Sequence, residues 1–169
     1  MFNTKLLIIY ILYIYIFNNM ENNWGNIYWI FLHNFCNKID EDYFNNNKIF
    51  VLNTIKLICI SLPCDTCSQH AKISLEKYNY NNINNKENLQ KFLFDFHNHV
   101  NNKLKKPILD ISILNKYDIC NFNISCNNYI KLFNKYNNSN IAPKLMMHKF
   151  HNNNNFNIIK TNINKIFYN

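Results

Sequence analysis

Apolar side chains fall at helical spacing through most of this chain. Trp24, Tyr28, Phe31 and Phe35 recur at i, i+4, i+7 and i+11, which predicts an amphipathic helix from Trp24 to about Ile39. Asp40-Glu41-Asp42 and the run Asn45 to Asn47 read as a polar connection. Val51, Ile55, Ile58 and Leu62 repeat the spacing and predict a second helix that stops before Pro63, because a proline drives the preceding residue out of helical φ/ψ. A third helix is expected to begin at Pro63-Cys64, with proline in its tolerated early position. Cys67, Ala71, Ser74 and Tyr78 would form its inner face. Asn79 to Asn85 reads as loop. Leu89, Leu93, Phe96 and Val100 define a fourth helix ending near Lys105, ahead of Pro107, and a short fifth is expected over Ser112 to Cys120. Beyond Asn121 the pattern weakens. Tyr129 to Tyr136 predicts a helical turn or two, and the remainder reads as a loosely ordered tail.

One Gly and three Pro leave too few turn residues for a β-rich fold. The expected class is therefore all-α, a four-helix bundle with a short fifth helix. The expected organisation is a hydrophobic segment over 1–19, a domain over 20–120 and an Asn-rich extension over 121–169. Apolar residues at 48% and aromatics at 16% suffice for a core. Asn makes up roughly a fifth of the chain, with runs at Asn45 to Asn47 and Asn152 to Asn155, and its abundance reads as compositional bias placed in loops and tails. Leu6 to Phe17 is almost wholly apolar yet shorter than the ~20 residues of a membrane span. It fits a membrane anchor, a signal-peptide core without a small-residue cleavage site, or an extension upstream of a start at Met20.

A net charge of +8 admits nucleic acid or an anionic surface as partner. The lysines are scattered and the chain has no Arg, the favoured residue for bidentate phosphate and guanine contacts, so no nucleic-acid partner is expected. The six cysteines are Cys36, Cys59, Cys64, Cys67, Cys120 and Cys126. The chain is too long and too rich in core residues to need a secreted disulfide framework. Cys36 and Cys59 sit in apolar helical patterns and read as buried thiols.

The sharpest chemistry lies in Leu62-Pro63-Cys64-Asp65-Thr66-Cys67. A C-x-x-C pair is a redox dithiol or half of a zinc site. Placed at a helix start, Cys64 gains a lowered thiol pKa from the exposed N–H groups, which makes it the attacking sulfur, with Cys67 one turn on as the inner, resolving one. Cys64, Cys67, His97 and His99 are the candidate zinc set, but H-x-H on a helix points its rings to different sides, which suits tetrahedral coordination poorly. His97 and Asn101 share a helical face and could both reach an aromatic cofactor, with Asn98 beside them. Taken alone, these groups also fit an ordinary hydrogen-bonded patch, and Trp24 and Trp29 fit core aromatics.

Together these residues resemble the Erv/ALR family of FAD-linked sulfhydryl oxidases, most of all its small virus-encoded members, those of poxviruses and African swine fever virus among them. The matching elements are W-G-x-x-x-W-x-x-x-H at Trp24, Gly25, Trp29 and His33; L-P-C-x-x-C-x-x-H-A at Leu62 to Ala71; and F-H-N-x-V-N-x-x-L-x-K-P at Phe96 to Pro107. Their order and spacing match over about Trp24 to Cys120. The resemblance implies a helical bundle holding FAD beside the C-x-x-C pair. Trp24, Gly25, Trp29, His33, Cys67, His97, Asn98, Val100, Asn101, Leu104 and Lys106 would line the FAD site, with Lys106 neutralising phosphate charge. It implies oxidation of two thiols to a disulfide, with O2 reduced to hydrogen peroxide. The implied partners are a protein dithiol, such as a thioredoxin-like or small Cys-rich relay protein, and a second copy docked through the first two helices. The implied place is the host cytoplasm or a virion, rather than the mitochondrial intermembrane space, with membrane association possible through residues 6–17. Two positions depart from the family: Lys105 stands for the usual Gly of L-G-K-P, and Ile111 for the structural Cys of cellular members. Cys120 and Cys126 could be a shuttle pair that relays electrons to Cys64-Cys67, or a tail disulfide, or free thiols. The rival readings are a metal-clipped, membrane-associated adaptor built on Cys64, Cys67 and His97, and a flavin-free dithiol exchanger.

Overall fold

The computed structural model describes residues 24–138 and 146–168. The hydrophobic segment 1–19, and with it the anchor and start-site readings, lies outside the described residues. Those described form six α-helices and two 310 segments, with no strand among them, so the chain is all-α as expected. We label the helices α1 (Trp24–Lys38), α2 (Glu41–Ile60), α3 (Asp65–Glu76), α4 (Lys86–Lys103), α5 (Phe122–Asn138) and α6 (Met146–Phe167). The 310 segments are Tyr80–Asn82 and Ile111–Asp118. No helix among the described residues is long and apolar enough to cross a membrane.

Short polar side chains start most of these elements. Asp40 Oδ1 accepts the Tyr43 N–H at 2.8 Å and caps α2, whose first turn carries Glu41 and Asp42 against the positive end of the helix dipole. The acidic triplet is thus a helix start and not a connection. The Asn45 to Asn47 run lies inside α2, which kinks at Asn47 (φ −126°, ψ 25°) as its amide donates to the Tyr43 carbonyl. Asn85 caps α4 by accepting the Asn88 N–H at 2.8 Å. Asn79 and Asp110 cap the two 310 segments, the second of which replaces the expected fifth α-helix. Helix α3 begins two residues later than expected, with Cys64 as its cap and Pro63 just outside.

The core gathers around α1, which packs against α4, α5 and the second 310 segment, while α2 packs against α3 and α6. Phe31, Phe35, Phe44, Ile55, Ile58, Leu89 and Leu93 are wholly buried, each worth about 2 kcal/mol of transfer free energy. The stretch beyond Asn121 is the main departure from expectation. Instead of a loose tail it supplies two packed helices. The Tyr129 ring stacks on Phe31 at 4.4 Å, Phe167 meets Phe122 at 4.0 Å, and Phe133 joins Phe156 at 3.9 Å. Ile159, Ile163 and Ile166 continue the apolar face of α6 into the core.

Helix α4 ends in a Schellman arrangement. The Lys106 N–H reaches the Asn101 carbonyl at 2.9 Å, and the Lys105 N–H reaches that of Asn102 at 3.1 Å. Lys105 sits at φ 54°, a left-handed position that a Cβ makes unfavourable by about 1–2 kcal/mol. Lys105→Gly removes that cost and adds the smaller entropic cost of a glycine in the unfolded chain. The variant should be more stable by about 0.5–1 kcal/mol in urea unfolding. A loss of stability would mean that the Lys105 side chain contributes more than its backbone costs.

Candidate active site

Cys64 caps α3 with its own sulfur. The Cys67 N–H donates to Cys64 Sγ at 3.2 Å, the Ser68 N–H reaches the Cys64 carbonyl at 3.0 Å, and Thr66 Oγ1 lies 3.3 Å from the sulfur. Cys64 and Cys67 are joined as a disulfide with Cα atoms 5.1 Å apart. Once that bond is reduced, the same helix-end N–H stabilises negative charge on Cys64, as required of a nucleophilic thiolate.

A cavity of about 570 Å³ opens beside the pair, within the size range of cofactor sites. Three helices give most of its wall, to which Cys59 of α2 and Leu62 add. From α1 come Trp24, Gly25, Tyr28, Trp29 and Leu32; from α3, Cys67, His70, Ala71 and Ser74; from α4, Phe96, His97, Val100 and Asn101. Lys103, Leu104, Lys106 and Leu109 complete the wall where the chain leaves α4. Of the two sulfurs, Cys67 borders the cavity and Cys64 does not. Trp24, Gly25, Trp29, His97, Val100, Asn101, Leu104 and Lys106 are brought together here as lining residues.

His33 and Asn98 stand behind this wall. Asn98 is a two-pronged clamp: its amide donates to the Leu109 carbonyl at 3.1 Å, and its oxygen accepts the Leu109 N–H at 2.9 Å. It thereby holds the segment after α4 against the cavity. His33 is buried, with Nε2 3.0 Å from Nδ1 of His97 and its ring stacked on Tyr117 at 4.9 Å. On its other side the His97 ring stacks on Trp29 at 3.9 Å and 10°. Burial, with His97 nearby, brings His33 down to about 3. Burial, with the Lys106 cation, brings His97 down to about 4. Burial thus holds both rings neutral at pH 7, and a single proton lies between their facing nitrogens.

Tyr28, Leu32, His70, Ser74 and Lys103 also line the cavity, although the sequence reading has His70 only as part of the C-x-x-C motif and Ser74 only as an inner-face position. Tyr28 and Leu32 look like core positions in the apolar stripe of α1. His70 and Ser74 are three and seven residues beyond Cys67, a spacing that puts them on its face. Ser74 also ties the cavity margin together, accepting from Lys103 Nζ at 3.3 Å and lying 3.3 Å from His99 Nε2. Cys36, Cys59 and Cys126 are buried free thiols, and Cys120 is a half-buried one. Burial pushes Cys59 up to about 12 and Cys126 up to about 11. The proposed zinc ligands do not assemble: the two sulfurs are spent in a disulfide, Nδ1 of His97 faces His33, and His99 turns to Ser74. No metal-sized group of three or more His, Cys, Asp or Glu occurs among the described residues.

A helical scaffold that holds a C-x-x-C disulfide at the edge of an aromatic, cofactor-sized cavity belongs to the thiol–disulfide redox proteins. The sequence model of the Erv1 / Alr family matches residues 26–122, more than half of the chain, and the protein belongs to that family. It is 37% identical over 90 residues to a FAD-linked sulfhydryl oxidase of African swine fever virus, an alignment covering 53% of this chain and 75% of that protein. It is 32% identical over 87 residues to 096R of Invertebrate iridescent virus 3, also named as a FAD-linked sulfhydryl oxidase, covering 51% of this chain and 59% of the relative. The chain thus spans less than two thirds of that second relative. No solved structure matches it.

The histidine pair gives the protein an acid-sensitive stability. Both folded values lie below the unfolded value near 6.5, so the unfolded chain binds more protons as pH falls through 6.5. This stability is complete above that pH and is lost towards pH 4, by up to about 1.4 kcal/mol per histidine for each pH unit well inside the window. Urea midpoints measured from pH 8 to pH 4.5 should hold steady and then fall below about 6.5. His33→Phe, which keeps a ring on Tyr117, should fall less steeply. Equal slopes for the two proteins would remove His33 from this account.

Proposed function

We propose that this protein is a thiol oxidase that uses FAD to join protein thiols into disulfides and passes the electrons to O2. The observation that carries the reading is the position of Cys67, half of a disulfide and also part of the wall of an aromatic cavity. The lining suits a flavin. Trp24, Trp29 and Phe96 offer aromatic rings to a planar ligand, His97 and Asn101 offer polar groups, and Lys103 and Lys106 offer cations to a pyrophosphate. The viral relatives named FAD-linked support the same cofactor and a place in an infected cell.

The chain's own chemistry is a balanced exchange. A substrate thiolate attacks Cys64 Sγ, the Cys64–Cys67 bond breaks, and Cys67 leaves as a thiolate next to the cavity. A mixed disulfide then joins substrate to Cys64. The second substrate thiol, deprotonated, displaces Cys64, and the N–H of Cys67 receives the charge on the departing sulfur. Substrate leaves as a disulfide, and the chain keeps two reduced sulfurs and two electrons. FAD, when bound, supplies the two-electron chemistry that restores the disulfide and delivers those electrons to O2, giving hydrogen peroxide. A second copy docked on α1 and α2 would have to use the surface that α5 and α6 leave free, since α5 packs on α1 and α6 on α2.

Purified protein should carry one non-covalent flavin per chain, seen as a visible absorption band released on denaturation. Cys67→Ser should keep the band and lose oxygen consumption with dithiothreitol. A colourless, folded protein that takes up no FAD would overturn the reading. For the second pair, Cys120→Ser should leave turnover of both dithiothreitol and a folded protein dithiol unchanged, because its would-be partner Cys126 is buried. Selective loss with the protein substrate would restore Cys120 as a relay.

A further inference from the structure

We propose that Asn152 and Asn155 of α6 are positioning residues for the Cys64–Cys67 pair, so that the C-terminal helix is part of the redox site. Both lie in the Asn152 to Asn155 run and outside the stretch that matches the family, 26–122. Their side chains are 5% and 6% exposed. Asn152 Nδ2 donates to the Leu62 carbonyl at 2.9 Å, and Asn155 Nδ2 donates to Ser61 Oγ at 3.0 Å. Ser61 and Leu62 form the junction between α2 and α3, and only Pro63 separates Leu62 from Cys64.

The junction is gripped from three other directions. Tyr28 Oη, on the cavity wall, donates to the Ser61 carbonyl at 2.8 Å. Ser68, in the first turn of α3, accepts the Leu62 N–H at 3.1 Å and donates to the Leu62 carbonyl at 3.2 Å. The Ser61 N–H closes on the Ile58 carbonyl at 3.2 Å. The asparagines thus complete a frame that fixes where α3 begins relative to α1 and α2. The reactivity of Cys64 depends on that start, since its sulfur takes the Cys67 N–H only while Cys64 holds its capping conformation (φ −99°, ψ 113°). Loosening the junction spreads Cys64 over geometries in which its thiolate lacks that donor. Its thiol pKa then rises towards the ordinary value near 8.5.

This deepens the thiol-oxidase reading, yet its test needs neither flavin nor oxygen. In the full chain, reduced and denuded of flavin, the pH dependence of Cys64 alkylation by iodoacetamide is followed by peptide mass analysis. Asn152→Ala and Asn155→Ala should raise the midpoint, and at pH 7 should slow alkylation by about threefold or more. Asp65, the charged neighbour in the first turn, is common to every variant, so its field cancels. The control is Asn162→Ala, on the same helix, which breaks a bond to Thr54 Oγ1 of 2.9 Å elsewhere on the α2–α6 contact. It should lower stability similarly and leave the Cys64 profile unchanged. Ser61→Ala, which deletes the acceptor and leaves α6 intact, should shift the profile in the same direction and serves if an asparagine variant does not fold. Wild-type profiles in the folded Asn152, Asn155 or Ser61 variants, or an equal shift in Asn162→Ala, would overturn the proposal. A colourless protein would sink the oxidase reading and leave this one to its own measurement.

Discussion

The site depends on one constraint: the chain must pass from α2 to α3 past the buried Ser61 without leaving a polar backbone group there unpaired. Ser61 is fully buried. A buried peptide group left without a partner costs about 1–3 kcal/mol, so the junction is stable only if side chains supply what helices no longer do. Tyr28, Ser68 and Asn152 do this for the carbonyls of Ser61 and Leu62. Pro63 has no N–H to satisfy. Helix α3 therefore starts at a defined place with Cys64 as its cap. The cavity inherits its shape from the same set, since Tyr28 and Leu62 both line it.

Cysteine chemistry in this protein is decided by burial and by position relative to a helix start. Cys59 and Cys67 line the same cavity. Cys59 sits one residue before the end of α2, packed among apolar neighbours that penalise its charged form. Cys64 and Cys67 occupy the opposite kind of place, the start of a helix, where free N–H groups favour negative sulfur. Burial separates Cys59 from the half-buried pair, and the helix start adds a donor for Cys64 that Cys59 lacks.

The three motifs and most of α1 to α4 are legible because their apolar spacing is regular, whereas the caps Asp40 and Asn85 read only as connection and loop. What was missed has a common cause. The abundance of asparagine reads as bias, yet Asn79 and Asn85 start elements, Asn47 marks a kink, and Asn152, Asn155 and Asn162 anchor α6. The signal was present: Phe156, Ile159, Ile163 and Ile166 follow helical spacing, and Phe122, Cys126, Tyr129 and Phe133 do the same in α5. An asparagine count is blind to which face of a helix each asparagine occupies. His33 and Asn98 were less accessible. Their spacing puts them near the cavity, but only the fold shows that one turns to His97 and the other to Leu109, behind the surface a ligand would touch.

That second row matters for the electrostatics of the cavity. Trp29 stacks on His97 and Tyr117 on His33, and the two histidines meet through their ring nitrogens, so a neutral chain of rings runs from the cavity wall to buried Tyr117. Lys106 lies near enough to help keep His97 uncharged. The cavity is thus divided between an aromatic, neutral wall and a rim carrying Lys103 and Lys106. A flat neutral ring is favoured at the first by stacking, and an anionic group at the second by Coulomb attraction. A charged His97 would blur that division. Burial and the Lys106 cation oppose it, and the His33–His97 contact excludes a charge on both rings at once, because two facing ring nitrogens 3.0 Å apart are satisfied by one proton and protonating both sets donor against donor.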